Sequence, residues 1–278
     1  MTCADNRHII AYAPCIGDCT KCKVRSRAVI YGPVKSRRRG LSLGVNFFPR
    51  AKVCSFDCVY CIRGKTIVKT LLAYSSYQIS PRQITKFLEI ALQKVRADTV
   101  DLSGNGEPTL YPRFIEAVRD IYKICLEYSI KSLGIFTNST ALARRYVRHA
   151  LRYIDHVEAK LDVANDLKLG IINRPVHGIT IEKIVHNIKS VRKYVTSLII
   201  QTLVCDVLVL DRWVRSIESS EIEQFVKILL TIDPDEVYLY TAYRPSLGTR
   251  HVRPVSREDI RQIADVLSSH GLKVRVFI

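Results

Sequence analysis

A chain of 278 residues, 47% of them hydrophobic, can bury a large core, and that length suits one barrel-sized domain as well as two small ones. The start MTCADNRHII lacks a basic region followed by an apolar run, and the most apolar later stretch, SLIIQTLVCDVLVL, is broken by Gln201, Thr202 and Asp206; together these argue against an export signal and a membrane span and predict a cytoplasmic protein. Lys plus Arg at 43 against Asp plus Glu at 26 gives a formal charge of +17, which favours anionic partners, nucleic acid first, with bare cationic solubility as the alternative.

Residues 1–40 hold four cysteines and a cluster of cations and are expected to form a Cys-rich, basic N-terminal extension. From residue 41 to 278, short β-branched apolar runs alternate with longer amphipathic stretches, the pattern of strand-helix units on a parallel sheet. Strands are predicted near 42–48, 99–104, 132–138, 156–163, 197–205, 236–243 and 273–277. Helices are predicted between them, near 81–96, 112–128, 141–154, 180–195, 219–231 and 257–269. Ser80 before Pro81, and Ser256 before Glu258 and Asp259, mark two helix starts, and Gly271 follows the last helix. The fold class is α/β, and six such units fit a partial (β/α)6 TIM-type barrel rather than a closed barrel of eight.

Six of the nine cysteines fall into two tight triplets, which points to metal or cluster ligation rather than a secreted disulfide framework. Cys54, Cys58 and Cys61 lie on one loop just after the first predicted strand, where an α/β barrel presents its active-site groups. Three protein thiolates on a cubane leave one iron open for a small molecule, whereas a structural zinc site normally has four protein ligands. A partial zinc site and reduced structural thiols are the bland alternatives for a triplet taken alone.

The CxxxCxxC spacing, with Tyr60 before the last cysteine, resembles the radical SAM superfamily. Further blocks carry the likeness over roughly residues 30 to 278: Tyr31-Gly32-Pro33-Val34, Ser36-Arg37-Arg38, Ser42 to Val45, Ser103 to Leu110, Thr137-Asn138-Ser139, Lys160-Leu161-Asp162 and Ile172-Asn173-Arg174-Pro175. They are similar to the branch of radical SAM proteins related to the wyosine-forming tRNA synthases; Lys35 departs from it, at a position where proline is expected. The resemblance implies a [4Fe-4S] cluster on Cys54, Cys58 and Cys61, and reductive cleavage of S-adenosylmethionine (SAM) to a 5'-deoxyadenosyl radical. It also implies an electron donor such as ferredoxin or flavodoxin.

By the same resemblance, Gly104-Asn105-Gly106-Glu107 stands for the element that binds the amino group of SAM, with Gly106 letting the backbone approach a ligand and Glu107 accepting from the ammonium. Thr137, Asn138 and Ser139 are expected at the height of the ribose, and Tyr60 beside the adenine.

Independently of family, alternation along His156 to Asp162 turns Val157, Ala159 and Leu161 to the helices and aims Glu158, Lys160 and Asp162 into the barrel. Charges there need mutual pairing or a ligand, so Lys160 and Asp162 are either a candidate catalytic pair or a stacked salt bridge, and Tyr238 and Tyr240 are placed to line the same interior.

Cys15, Cys19 and Cys22 repeat the spacing, with Cys3 near enough to be a fourth ligand. An auxiliary [4Fe-4S] cluster is favoured there, as the wyosine-forming synthases also carry one on N-terminal cysteines, ahead of structural zinc and of redox disulfides or free thiols. Cys125 and Cys205 read as core residues. Lys21, Lys23, Arg25, Arg27, Lys35, Arg37, Arg38 and Arg39 crowd one segment, and Arg145, Arg148 and Arg152 share a helix face; both groups could meet the phosphates of tRNA, the leading substrate, or belong to barrel closure and a solvated face. An activase of a glycyl-radical protein or an enzyme acting on a small metabolite is the alternative within the superfamily. A non-enzymatic, zinc-stabilised nucleic-acid-binding protein is the alternative outside it.

Overall fold

The computed structural model describes residues 9–15, 26–73, 79–243 and 251–278. Strand β1 (Ile10–Ala13) runs parallel to β2 (Ala28–Ser36), which folds back antiparallel onto β3 (Gly40–Val45). A two-stranded pair, β4 (Val53–Cys54) and β5 (Val68–Lys69), follows. Then come α1 (Pro81–Leu92), β6 (Thr99–Leu102), α2 (Phe114–Glu127), β7 (Ser132–Thr137), α3 (Arg145–Ala150), β8 (His156–Lys160), the short α4 (Asp166–Lys168) and α5 (Ile181–Val191). The chain continues through β9 (Ser197–Val209), β10 (Arg212–Arg215), α6 (Ile222–Ile232), β11 (Glu236–Thr241), β12 (Val252–Pro254), α7 (Arg257–Ser269) and β13 (Val274–Phe277).

Strands β3, β6, β7, β8, β9, β11 and β13 are parallel neighbours in that order, so six β/α units and a last strand make the expected partial barrel. Its ends do not pair with each other: β1 and β2 continue the sheet beyond β3, so Ala28–Ser36, in the expected N-terminal extension, hydrogen-bonds directly to the first barrel strand.

The helix starts follow from their caps. Ser80 accepts from the Gln83 amide while the Gln83 side chain accepts from the Ser80 amide, with Pro81 in the first turn; Ser256 accepts from the Asp259 amide at 3.0 Å. Helix α3 is shorter than the expected 141–154, because Ser139 has a φ of +70° and residues 140–143 form turns, so the α-helix begins only after Arg144.

The β2–β3 turn fills the lower end of the barrel. Arg39 reaches Asp101 on β6 (3.0 Å) and Glu158 on β8 (2.8 Å), and Arg38 pairs with Glu158 at 2.6 Å while lying over the rings of Tyr238, Tyr240 and Phe277. A buried carboxylate is tolerated when its oxygens are engaged in this way. This corrects the expectation that Arg38 and Arg39 could meet a phosphate backbone: both are spent inside the fold. Lys21, Lys23 and Arg25 lie outside the described residues.

Candidate active site

The loops that leave the carboxyl ends of β3, β6, β7 and β8 converge at the mouth of the barrel. The cysteine loop is held by backbone pairing on both sides. Cys54 is in register with Lys69 on β5, and Asp57 and Val59 donate to Asn173 and Ile172 at 3.0 and 2.9 Å, while Val176 donates to Ser55 at 2.8 Å. The Ile172 to Pro175 block is therefore the strap that shapes the cysteine loop.

Hydrogen-bond donors point at two of the three sulfurs. Cys54 Sγ accepts from the Phe56 amide and from Asn138 Nδ2, both at 3.4 Å, and Cys58 Sγ accepts from Asn173 Nδ2 at 3.5 Å. Lys52, almost fully buried, donates to the Gly64 carbonyl at 2.6 Å; burial works against its charge, but the thiols of Cys61, Cys54 and Cys58 hold its pKa above the ordinary lysine value. Burial, then Cys61, pushes the Cys58 thiol up to about 11, and burial, then Cys58 and Glu107, pushes Cys54 up as well. Thiols so placed become thiolates only with a cation among them, and three cysteine thiolates are a donor set of the kind that iron-sulfur clusters accept.

Glu107 is 1% exposed. Its Oε1 accepts from Thr109 Oγ1 (2.6 Å), the Thr109 amide (3.2 Å) and Thr137 Oγ1 (2.7 Å), and its Oε2 from the Asn138 amide (2.6 Å). Each carboxylate oxygen has about two acceptor positions; Oε1 is crowded by three donors, whereas Oε2 takes one, so one position on Oε2 remains. The carboxyl pKa is raised by burial, against these donors. Gly106 (φ +99°) does bring backbone close, but to protein: a Cβ there would lie 1.6 Å from the Val53 carbonyl oxygen, and Glu107 donates to that carbonyl at 2.9 Å. Gly104 (φ +121°) lies against Asn46, and Asn105 Nδ2 donates to the Ser26 and Phe48 carbonyls at 2.6 and 3.0 Å. Asn138 Nδ2 also donates to Ser55 Oγ at 2.8 Å. The Ser139 hydroxyl is buried without a hydrogen-bond partner among the described residues.

On β8 and the turn after it the charges face inward as alternation requires. Lys160 Nζ lies 2.8 Å from Asp162 Oδ1 and donates to the Tyr240 hydroxyl; burial opposes its charge, but Asp162 and Tyr240 hold its pKa above the ordinary value. Asp162, 2% exposed, also accepts from the Leu203 amide (2.8 Å), Asn173 Nδ2 (2.8 Å) and the Tyr60 hydroxyl. The mutual salt bridge exists, therefore, and it is tied to the cysteine loop through Tyr60. Burial, then Asp162, raises the Tyr60 pKa, so the phenol stays protonated and donates.

Asn173, Lys52 and Ser55 belong to this site and carried no individual signal in the sequence, although Asn173 falls within the Ile172 to Pro175 run. Cys125 on α2 and Cys205 on β9 are buried, as expected of core residues. Cys15 is exposed, and Cys3, Cys19 and Cys22 lie outside the described residues. Arg145 and Arg152 are exposed, while Arg148 stacks over Tyr194.

A parallel partial barrel with a three-cysteine loop at its mouth defines a class, and residues 49–212 match the profile of the Radical SAM superfamily: the chain belongs to this superfamily and is a radical SAM enzyme. It is 32% identical over 250 residues to UPF0026 protein MJ1312 of Methanocaldococcus jannaschii, covering 86% of this chain and 71% of that protein. It is 33% identical over 231 residues to UPF0026 protein slr1464 of Synechocystis sp., covering 82% and 78%. Among solved structures, a radical SAM methyltransferase from Sphaerobacter thermophilus is similar with a TM-score of 0.63 at 13% identity, over 87% of this chain and 67% of that chain. TYW1 with a lysine-pyruvate adduct bound is similar with a TM-score of 0.56 at 16% identity, over 82% and 73%. At those identities the likeness is one of fold. Superfamily membership implies a [4Fe-4S] cluster and SAM. Among the described residues no helix is long and apolar enough to cross a membrane.

Proposed function

We propose that this enzyme reductively cleaves SAM and directs the resulting radical at an RNA, with tRNA the leading substrate, in the reducing cytoplasm where thiolate-held clusters persist. The observation that carries the first half is the single loop at the barrel mouth that bears Cys54, Cys58 and Cys61, with amide donors on the sulfurs of Cys54 and Cys58. When bound, the cluster supplies the electron that breaks the sulfonium carbon–sulfur bond, leaving methionine and a 5'-deoxyadenosyl radical. Cys54, Cys58 and Cys61 would hold it. Glu107, kept in place by Thr109, Thr137 and Asn138, offers its remaining Oε2 position to the SAM ammonium, and Tyr60 flanks the adenine. Lys160 and Asp162 sit where substrate enters, and Lys160 can hold a proton or an anionic group there.

The RNA half is supported by the charge of +17, by the exposed Arg145 and Arg152, and by the fold shared with TYW1. Cys3, Cys15, Cys19 and Cys22 in the N-terminal extension would hold an auxiliary cluster, which adds iron beyond one cubane. Anaerobic reconstitution followed by reductant and SAM should release 5'-deoxyadenosine, and Cys58→Ala should abolish it. Undiminished cleavage in that variant would remove the triplet from the mechanism. Incubation with fractionated cell RNA should yield a new modified nucleoside, and a modified protein or metabolite instead would replace the substrate.

A further inference from the structure

Strand β9 is longer than the barrel requires. Its last partner on β11 is Thr241, opposite Val204, and from Cys205 to Val209 it pairs instead with two antiparallel strands, β10 and β12. The parallel strands all run towards the mouth, so this three-stranded arm stands on the mouth side of the barrel. A two-residue turn, Leu210-Asp211, with φ of +46° and +62°, joins β9 to β10.

One face of the arm carries the single tryptophan of the chain. Trp213 is in register with Leu208 and 41% exposed, and the guanidinium carbon of Arg253 lies 4.1 Å from its ring centroid. Arg253 Nε is 3.1 Å from Asp206 Oδ2, and Arg215 Nε is 2.9 Å from Oδ1 of the same carboxylate. Arg215 Nη1 also reaches Asp259 on α7 at 2.9 Å, which fastens the arm to the barrel. Trp213, Arg253, Asp206 and Arg215 are thus one assembly, joined contact by contact. A tryptophan that serves packing is highly buried, whereas this ring is held at the surface. Arg253 covers one face of it, and the exposure that remains belongs to the opposite face and the edges. Asp206 is 4% exposed with both oxygens engaged, while the Arg253 side chain is 52% exposed, so the charge beside the ring is positive.

We infer that Trp213, backed by Arg253, is a platform on which an unpaired base of the RNA stacks beside the barrel mouth. This rests on the reading of RNA as the substrate. A base offers a flat π-face to the open side of the indole and brings phosphates to the neighbouring guanidinium groups, whereas a paired base inside a duplex offers no free ring face. The platform therefore selects a loop, a bulge or an end over a helix. A protein partner would surround the ring with apolar contacts, and the side chains joined to it here are charged.

The test titrates the anaerobically reconstituted protein with tRNA and, in parallel, with heparin, a polyanion without bases. Tryptophan emission is followed, with N-acetyltryptophanamide as the correction for absorbed light; it reports this ring alone, since the chain has one tryptophan. tRNA should quench the emission saturably and heparin should not. By filter binding, Trp213→Ala should weaken tRNA affinity about fivefold or more with the log-log salt slope unchanged, because no phosphate contact is lost, and Trp213→Tyr should restore most of the loss. Quenching by heparin as deep as by tRNA, or a Trp213→Ala affinity within twofold of wild type, would overturn the platform and leave RNA binding standing. Saturable quenching by polyglutamate but not by tRNA would give the face to an acidic protein and overturn the inference. A wild type that holds tRNA no better than an uncharged polymer would overturn the RNA reading, and the platform with it.

Discussion

Acidification isolates the lower end of the barrel through one residue. His156 opens β8, is 7% exposed, and has its Nε2 3.7 Å from Asp101 Oδ1, beyond hydrogen-bond reach. Asp101 is already engaged by Arg39 at 3.0 Å and by the Ser42 hydroxyl, so the imidazole gains little from it. Burial, then the Arg39 guanidinium, lowers the His156 pKa from 6.5 to about 3. The unfolded chain therefore takes a proton on this residue near its ordinary pKa, and the folded chain does not until about pH 3. The contribution of His156 to stability is thus fully present above the unfolded value and is lost progressively as pH falls towards the folded one. Between pH 7 and 5 this amounts to about 2 kcal/mol. Urea unfolding of wild type and His156→Gln at pH 7, 6 and 5 measures it, because every other group titrates in both proteins and cancels in the difference. The stability gap should shrink, or reverse in sign, by that amount on acidification. A gap that changes by less than about 0.5 kcal/mol, a quarter of the linkage value, would mean that His156 is protonated in the folded state and would refute the account of the barrel floor.

Gly106→Ala should cost about 3 kcal/mol or more, because its Cβ would overlap the Val53 carbonyl at a φ of +99°; a thermal midpoint close to wild type would contradict this. Asp162→Asn leaves Lys160 with Tyr240 and withdraws the carboxylate that takes the Tyr60 hydroxyl, so SAM cleavage should slow at least tenfold at unchanged iron content, measured as 5'-deoxyadenosine against bound iron. Arg145→Glu/Arg148→Glu should lower the log-log salt slope of tRNA binding by about 2, by nitrocellulose filter binding, and leave SAM cleavage without substrate intact.

The strand-helix order was legible because each barrel strand is a short apolar run and several helices announce their starts, Ser80 with Gln83 and Ser256 with Asp259 being the clearest. The inward aim of Glu158, Lys160 and Asp162 was legible from alternation alone. Their partners were not: Arg38 lies 120 residues from Glu158, and only the β2–β3 return brings them together, so a run of arginines read as a phosphate contact becomes the floor of the barrel. Asn173 was hidden for the same reason, since its link to Cys58 spans 115 residues and depends on a strap crossing the cysteine loop. Gly106 was legible as a close approach, but sequence could not say whether ligand or backbone does the approaching.

Floor and mouth are two ends of one hydrogen-bonded chain. Gln201 donates to Glu158, which Arg38 and Arg39 hold from below, and its amide oxygen accepts from the Tyr240 hydroxyl at 2.9 Å. That hydroxyl in turn accepts from Lys160, Lys160 pairs with Asp162, and Asp162 receives Asn173, which also donates to Cys58. Each member fixes the rotamer of the next, so the orientation of Lys160 is set by the barrel itself before any ligand binds. The floor has no carboxylate to spare, since Glu158 and Asp101 are matched by Arg38 and Arg39. At the mouth, by contrast, Glu107 Oε2 beside the cysteine loop takes a single donor, the Asn138 amide, and carries no cation among the described residues; this is the acceptor that the proposed function gives to the SAM ammonium.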